Sequence, residues 1–219
     1  MRISLFGSII ILIFLSTFKP NTSIFSNSNF LIKKIIIENN EITKSQDIKK
    51  KLNFLYKSNL VFLNTRNIRN VLLNEPFIQS FRIKKIYPDI IKISISEKKL
   101  VAILLNNKKK FYITNKGKKI RYKYIENYKN LPTIIGASNE FIDLYRVLNN
   151  LDFPIKSIKS FYFYEIGRWD LALHDGRIVK LPSKNYKISL RKFIKIKNKS
   201  NFKKFKTFDY RIKNQLILN

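Results

Sequence analysis

The stretch FIQSFRIKKIYPDIIKISIS, residues 77–96, carries the clearest β-strand pattern in the first half of the chain. In its second half apolar and polar residues alternate without a break, with the apolar positions at Ile91, Ile93 and Ile95. Alternation with a period of two is typical of a β-strand that buries one face and leaves the other in water. Turn-forming residues at 87–89 interrupt the pattern. The sequence therefore predicts two strands joined by a turn.

Upstream of this stretch the pattern changes from strand to helix. Ile35 and Ile37 lie on one face of a short strand, and Asn39 follows at a position that suits a left-handed turn. Thr43 and Gln46 have the spacing of a capping box. We therefore expect the first strand to be followed by a helix that begins at this box.

A second short helix is expected directly before residues 77–96. Asn64 or Thr65 can cap its start, and Pro76 ends it because the residue before a proline avoids helical angles. The predicted order of elements is β-α-α-β-β. A three-stranded sheet covered by two helices would bury all of the apolar faces at once.

The region from Leu100 onward reads as a mixed, β-rich domain with flanking helices. Asp175-Gly176 predicts a hairpin turn, and residues 207–211 and 215–218 are expected as terminal strands. The clearest amphipathic helix has its apolar face at Phe141, Leu144, Tyr145, Leu148 and Leu151. The fold class predicted for the whole chain is α+β.

The amino-terminal residues predict a membrane anchor. Ile3–Phe18 is a run of 16 uncharged, mostly apolar residues, while a bilayer-spanning helix needs about 20 and roughly 17 as a lower limit. We interpret residues 1–20 as a short cytoplasmic stub with a single, uncleaved transmembrane signal-anchor. A cleaved signal peptide is the alternative, disfavoured because residues 18–20 are Phe, Lys and Pro rather than small residues. The Ser- and Asn-rich residues 21–30 are expected to form a linker.

The composition restricts the chemistry of the chain. It has 44 Lys and Arg against 14 Asp and Glu, a formal net charge of +30, no cysteine and one histidine, His174. These counts exclude disulfides, thiolate zinc sites, cysteine nucleophiles and paired histidine ligands. Asp175 follows His174 directly, and neighbours on a strand point to opposite faces. We therefore expect no catalytic site, no metal and no cofactor.

The excess of positive charge has two interpretations. It indicates attraction to a polyanion, either nucleic acid or anionic lipid head groups. It is also typical of a solvated, lysine-rich surface, which we favour because the sequence holds no recognisable nucleic-acid-binding motif. A basic nucleic-acid or anionic-surface binding protein is therefore kept as an alternative function.

Several stretches in order resemble the FtsQ/DivIB family of bitopic cell-division proteins. The most specific is RWDLALHDGRIVKLP, residues 168–182, which is similar to the family's central hairpin. LPTIIG at 131–136 and Asp-Tyr-Arg at 209–211 match further family motifs, and the β-α-α-β-β region resembles the family's POTRA domain. The chain departs from the pattern at Asn39, where glycine is usual, and at Leu100, where proline is usual.

The resemblance implies a non-catalytic scaffold of the division septum. It implies a POTRA domain at residues 31–99 and an FtsQ-type β domain at residues 100–219, behind the anchor and linker. Such a protein would cross the cell inner membrane once, hold both domains in the periplasm and link early to late division proteins. The POTRA domain would contact other divisome components, and the β domain would bind FtsB and FtsL.

We expect FtsB–FtsL binding to occur by strand addition at an exposed edge near the carboxyl terminus. The expected edge residues are Asp209, Tyr210, Arg211, Ile212 and Lys213. Arg168 on the motif hairpin is expected to pair with a partner carboxylate, whereas Trp169 is expected in the core. A POTRA-bearing secretion component is a further alternative, disfavoured because the sequence shows one such unit instead of several.

Overall fold

The computed structural model describes residues 2–17, 30–106, 109–136 and 139–219. The chain divides into two compact units, the first ending at Glu97 and the second beginning at Lys98. Each unit has a hydrophobic core of its own. A separate core is the physical basis on which a domain folds as a unit.

The apolar run near the amino terminus forms helix α1, Arg2–Thr17. None of the helices in the described ranges is long and apolar enough to cross a membrane. The transmembrane anchor therefore stays a prediction. The expected linker at 21–30 lies outside the described residues except for Phe30.

The first unit has the predicted order of a strand, two helices and two strands. Its elements are β1 (Lys34–Glu38), α2 (Ser45–Lys51), α3 (Arg66–Leu73), β2 (Ile78–Ile86) and β3 (Ile90–Glu97). β3 is the central strand, parallel to β1 and antiparallel to β2. Ile91, Ile93 and Ile95 are buried, which confirms the inward face that the alternation predicts.

A turn held by Glu97 connects β1 to α2. Asn39 has a φ of 60°, which confirms the predicted left-handed turn residue. The Glu97 carboxylate accepts backbone N–H bonds from Glu41 at 2.9 Å and from Ile42 and Thr43 at 2.8 Å. The predicted capping box is wrong, because α2 begins only at Ser45 and the Thr43 hydroxyl has no hydrogen-bond partner among the described residues. Glu97 positions this backbone instead of a side-chain cap.

The second unit is built on a nine-stranded sheet within the described residues. Its elements are β4 (Leu100–Asn106), β5 (Lys109–Thr114), β6 (Lys119–Arg121), β7 (Thr133–Ile135), α4 (Phe141–Asn150), β8 (Ile158–Tyr164), β9 (Arg168–Leu173), β10 (Ile178–Lys180), α5 (Tyr186–Ile196), β11 (Thr207–Asp209) and β12 (Ile217–Leu218). The spatial order is β12-β11-β10-β9-β8-β7-β4-β5-β6. The predicted β-rich region with flanking helices is confirmed.

An aromatic cluster lies in the core of the second unit. Trp169 on β9 is 3% exposed, and its ring centroid lies 6.2 Å from that of Phe141 on α4 and 6.4 Å from that of Phe161 on β8. The cluster joins the motif hairpin to the helix above it. The expectation that Trp169 is a core residue is confirmed.

The strands at one end of this sheet position the candidate site. β9 pairs antiparallel with β8 and with β10, and β10 pairs parallel with β11. A parallel pair requires a crossover connection, and α5 lies in that connection. The terminal strands are shorter than the sequence predicts, because β11 ends at Asp209 and β12 begins at Ile217.

Candidate functional site

The outermost strand near the carboxyl terminus is β12, not β11. Asp209 on β11 lies opposite Lys180 of β10 and opposite Ile217 of β12. The prediction that residues 209–213 form the free edge is therefore wrong, because β11 has a neighbour on both sides. Residues 210–213 lie in the connection where the chain reverses into β12. Alternation along one strand does not reveal that reversal.

The outer side of β12 offers backbone groups to a further strand. Thr207 donates to the Asn219 carbonyl at 2.8 Å, and Asn219 donates back to the Thr207 carbonyl at 3.2 Å. In an antiparallel pair the residue next to such a hydrogen-bonded pair points its N–H and C=O the other way. The N–H and C=O of Leu218 therefore point away from β11. In the sheet formed by the described residues, no strand lies beyond β12.

A groove of about 310 Å³ lies between the start of α5 and the β11–β12 connection. Ile188 on α5 and Ile212 in the connection are both more than half exposed, at 56% and 51%. The lining residues include all four of the predicted residues beyond the strand, namely Tyr210, Arg211, Ile212 and Lys213. The groove therefore places apolar side chains and cations beside the last strands of the sheet.

Tyr210 is a core residue rather than an exposed one. Its side chain is 4% exposed, and burial raises the pKa of its hydroxyl well above the ordinary value. Within the part of the chain that the structure describes, this hydroxyl has no hydrogen-bond partner. Its backbone N–H donates to the Lys180 carbonyl at 2.9 Å. Tyr210 thus extends the β10–β11 pairing into the start of the connection.

Asp209 and Arg211 form a two-point ion pair at the end of β11. Arg211 Nε lies 2.9 Å from both carboxylate oxygens, and Arg211 Nη2 lies 2.5 Å from Oδ2. The backbone N–H of Arg211 donates to the same carboxylate at 3.0 Å. The hydrogen bond from Arg211 lowers the pKa of Asp209 below its ordinary value, against the opposing effect of burial. The pair fixes the geometry with which the chain leaves the strand.

Arg168 is partly buried and contacts residues of its own hairpin. Its guanidinium carbon lies 4.2 Å from the ring centroid of Tyr164, and its Nε lies 3.6 Å from Asp170 Oδ1. That distance is too long for a hydrogen bond. The Asp170 side chain is 5% exposed, and its burial raises its pKa although Arg168 opposes the shift. Arg168 and Asp170 therefore form a charge pair within this hairpin, in which Asp170 is buried and Arg168 is partly buried.

Lys180 lies between two buried carboxylates. In the sheet register it is opposite Asp170 on β9 and opposite Asp209 on β11. Its positive charge lowers the pKa of both carboxylates. Together with Arg168 and Arg211, it makes a row of alternating charges that crosses strands β9, β10 and β11.

The charged row interleaves cations with its carboxylates rather than grouping carboxylates together. Within the described ranges, no group of three or more histidine, cysteine, aspartate or glutamate side chains is arranged to hold a metal ion. The positive charge of Lys180 in the row would also oppose a cation there. Together, the outward backbone of β12, the apolar groove and the neighbouring charges are suited to the recognition of a protein segment.

Two residues of this site were missed by the sequence analysis. The sequence identifies Lys180 only as part of the 168–182 motif, whereas the sheet register makes it the centre of the charged row. Ile188 lies on the exposed side of α5, where the helical pattern alone predicts a polar residue. An isoleucine on the polar face of a helix is the signal that would have found the groove.

Two family models match the chain. The model described as "POTRA domain, FtsQ-type" matches residues 30–98. The model described as "Cell division protein FtsQ/DivIB, C-terminal" matches residues 102–211. The second match includes the motif hairpin, the charged row and the first part of the groove.

Curated relatives match both units. The chain is 30% identical over 197 residues to the cell division protein FtsQ of Rickettsia bellii, with coverage of 86% of this chain and 72% of the relative. It is 27% identical over 194 residues to FtsQ of Rickettsia typhi, with the same coverage of 86% and 72%. FtsQ of Rhizobium meliloti is 24% identical over 160 residues, with coverage of 72% of this chain and 52% of the relative.

A solved structure also matches part of the chain. It is the major extracytoplasmic domain of the trans isomer of the cell division protein DivIB from Geobacillus stearothermophilus, with 15% identity. The match covers 43% of this chain and 87% of the other chain, at a TM-score of 0.30. A TM-score at this level is too low to support a conclusion about the fold.

Proposed function

Because the chain belongs to the FtsQ/DivIB family of cell division proteins, we propose that it is a non-catalytic scaffold of the bacterial divisome. In this role it connects early and late division proteins at the septum, and its second unit binds the FtsB–FtsL pair. We propose a domain organisation of anchor at 1–20, linker at 21–30, POTRA domain at 31–99 and β domain at 100–219.

The observation that carries the proposal is the outward backbone of β12 beside the groove. A partner strand would pair with the N–H and C=O of Leu218, which point away from β11. Such pairing supplies affinity through the main chain, and flanking pockets select the side chains of the partner. Because β12 is a two-residue strand, few ladder bonds form, and the groove must provide much of the contact.

The side chains around the groove indicate the chemistry of the partner segment. Lys184, Lys192 and Lys213 line the groove together with Arg211, and none of the described lining residues is acidic. Ile188 and Ile212 offer apolar surface in the same place. We therefore propose a partner strand that carries both acidic and apolar side chains.

The predicted binding residues take different roles in this proposal. Arg211, Ile212 and Lys213 line the groove and would contact the partner directly. Asp209 would act through its ion pair with Arg211. Arg168 would act as a positioning residue of the sheet because its side chain is only 15% exposed, and Tyr210 contributes its buried side chain in the same way.

We propose that α1 and the residues adjoining it anchor the chain in the inner membrane. The apolar side chains from Ile9 to Phe14 are 49–75% exposed, and lipid is the environment in which an apolar helix surface of this kind is stable. The two folded units would then lie in the periplasm, as in a bitopic member of the family.

The experiment that tests strand addition replaces Leu218 by proline in the full chain. The proline removes the outward N–H, whereas the bonds between β11 and β12 belong to other residues. We expect FtsB–FtsL binding to weaken at least about tenfold, which corresponds to roughly 1.4 kcal/mol. The measurement is equilibrium binding of purified FtsB–FtsL to the chain in detergent.

Leu218→Ala is the matched control for this experiment. It shortens the same side chain but keeps the N–H, so binding is expected to stay within about threefold of the unchanged chain. Thermal unfolding of both variants establishes that the second unit remains folded. Equal binding by the proline and alanine variants, both folded, would refute strand addition at β12.

A further inference from the structure

The end of the first unit that follows the predicted anchor gathers exposed apolar side chains. Phe62 is 62% exposed, Tyr87 57% and Leu31 37%. These three residues belong to different segments of the chain, at 30–33, 56–62 and 85–89. We call these three segments the anchor-side surface.

Backbone and side-chain contacts hold the three segments together. The N–H of Leu60 donates to the Phe30 carbonyl at 2.8 Å, and the N–H of Lys33 donates to the Asp89 carbonyl at 2.9 Å. Lys85 Nζ donates to the Val61 carbonyl at 3.0 Å. The anchor-side surface is therefore one continuous part of the unit, built where β1 begins and where β2 turns into β3.

The charge of the anchor-side surface is positive. Its segments contain Lys33, Lys57 and Lys85 and a single acidic residue, Asp89. Asp89 is paired with Lys33 at 3.5 Å. At the opposite end of the unit, where β1 and β3 finish and β2 begins, lysines such as Lys44 and Lys51 are accompanied by four acidic residues, Glu38, Glu41, Glu75 and Glu97.

The length of chain before the surface keeps it close to the anchor. Twelve residues, 18–29, separate α1 from Phe30, and a chain of that length spans at most about 43 Å when fully extended. A surface on so short a connection meets the membrane at a high effective concentration. Weak individual contacts are then sufficient for association.

We propose that the anchor-side surface docks on the membrane and binds the head groups of anionic lipids. Tyrosine and other aromatic side chains favour the boundary between lipid and water, and lysines near an anionic leaflet are attracted to it. Phe62 and Tyr87 enter this boundary, while Lys33 and Lys57 contact the head groups. The proposal rests on the membrane anchor of the proposed function, and it makes the first unit lie against the bilayer with its opposite end outward.

The test places a spin label on either end of the first unit. Because the chain has no cysteine, Phe62→Cys and Lys44→Cys each give a single labelling site, and both residues are exposed. The full chain is reconstituted in phosphatidylcholine vesicles that contain about 30% phosphatidylglycerol. The readout is the collision rate of each label with lipid-soluble oxygen relative to a water-soluble nickel complex.

We expect the ratio at position 62 to exceed the ratio at position 44 by at least about threefold, because only the former label enters the lipid boundary. In vesicles of phosphatidylcholine alone, or with Lys57→Glu, the ratio at position 62 should fall toward that at position 44. Lys50→Glu is the matched control, since it reverses an exposed lysine of α2 outside the anchor-side surface, and it should leave the ratio unchanged.

Flotation of the vesicles after a carbonate wash separates this proposal from the anchor. A chain that floats with them but shows equal ratios at positions 62 and 44 keeps its anchor and overturns the docking. A chain that does not float at all overturns both. A high ratio at position 62 that is unaffected by lipid charge and by Lys57→Glu overturns the recognition of anionic head groups.

Discussion

Gly136, directly after β7, lies against the backbone of Phe163 on the neighbouring strand β8. A Cβ atom at position 136 would stand 2.5 Å from the Phe163 carbonyl oxygen. Gly136 also has a φ of 105°, which side-chain-bearing residues rarely adopt. The close approach and the backbone angle together explain the glycine of the LPTIIG motif. It lets β7 and β8 lie side by side beneath the aromatic core.

Gly136→Ala should therefore destabilise the second unit strongly. We expect a loss of about 2–4 kcal/mol in the free energy of unfolding, from backbone strain and from displacement of β8. Gly176→Ala is the matched control, because Gly176 has a φ of 84° but open space around it, and it should cost only about 1–2 kcal/mol. Urea unfolding of the two variants measures the difference. Equal losses would show that the close approach of position 136 to Phe163 adds nothing to the cost of the substitution.

Glu97→Gln should weaken the first unit. The carboxylate accepts three backbone N–H bonds, and an amide cannot accept them all without turning its NH₂ group toward a donor. We expect a loss of about 1–3 kcal/mol in the free energy of unfolding. Glu41→Gln changes an exposed side chain in the same turn and should be nearly neutral. Hydrogen exchange at the amides of Ile42 and Thr43 reports the loss locally.

The contribution of the Asp209–Arg211 pair should depend on pH. Because Arg211 lowers the pKa of folded Asp209, the stabilisation is full above the unfolded value of about 3.9 and is lost as the pH falls through the lower folded value. Asp209→Asn should cost about 2 kcal/mol at pH near 7 and progressively less below about 4. Denaturant titrations of the unchanged chain and of Asp209→Asn across this pH range test whether the cost decreases as the pH falls. A cost that is independent of pH would contradict the ion pair.

The two carboxylates beside Lys180 should titrate in a fixed order. Burial raises the pKa of Asp170 and Arg211 lowers that of Asp209, so Asp170 is expected to take up its proton first on acidification. Lys180→Met should raise both pKa values, since it removes a cation opposite each carboxylate. Lys187→Met, on the exposed side of α5, should change neither. Carboxyl-carbon NMR during a pH titration measures the pKa values of Asp170 and Asp209 in the unchanged chain and in the two variants.

The sequence was sufficient for the first unit because its contacts are encoded by local periodicity. Ile91, Ile93 and Ile95 alternate with polar residues, and one buried face follows from that alternation alone. Asn39 tolerates the left-handed turn for a reason that belongs to the residue itself. The role of Glu97 in that turn could not be predicted from the sequence, because it depends on a contact between residues more than 50 positions apart.

At the edge of the second unit, the periodicity of the sequence predicts strands but not which strand is outermost. Residues 207–209 were expected in a strand, but which strand is outermost depends on the pairing of β11 with both β10 and β12. The burial of Tyr210 also depends on that register. By contrast, Arg168 and Asp170 are two residues apart on one strand, so the sequence alone was sufficient to predict that they share a face of the sheet.

The most direct test of strand addition is amide hydrogen exchange at Leu218, measured by NMR on the full chain with and without saturating FtsB–FtsL. The amides of Thr207 and Asn219 are already bonded within the sheet and serve as internal references. We predict that exchange at Leu218 slows at least about tenfold when the partner pairs with its N–H. Unchanged exchange at Leu218 while the partner is fully bound would contradict the assignment of β12 as the docking edge.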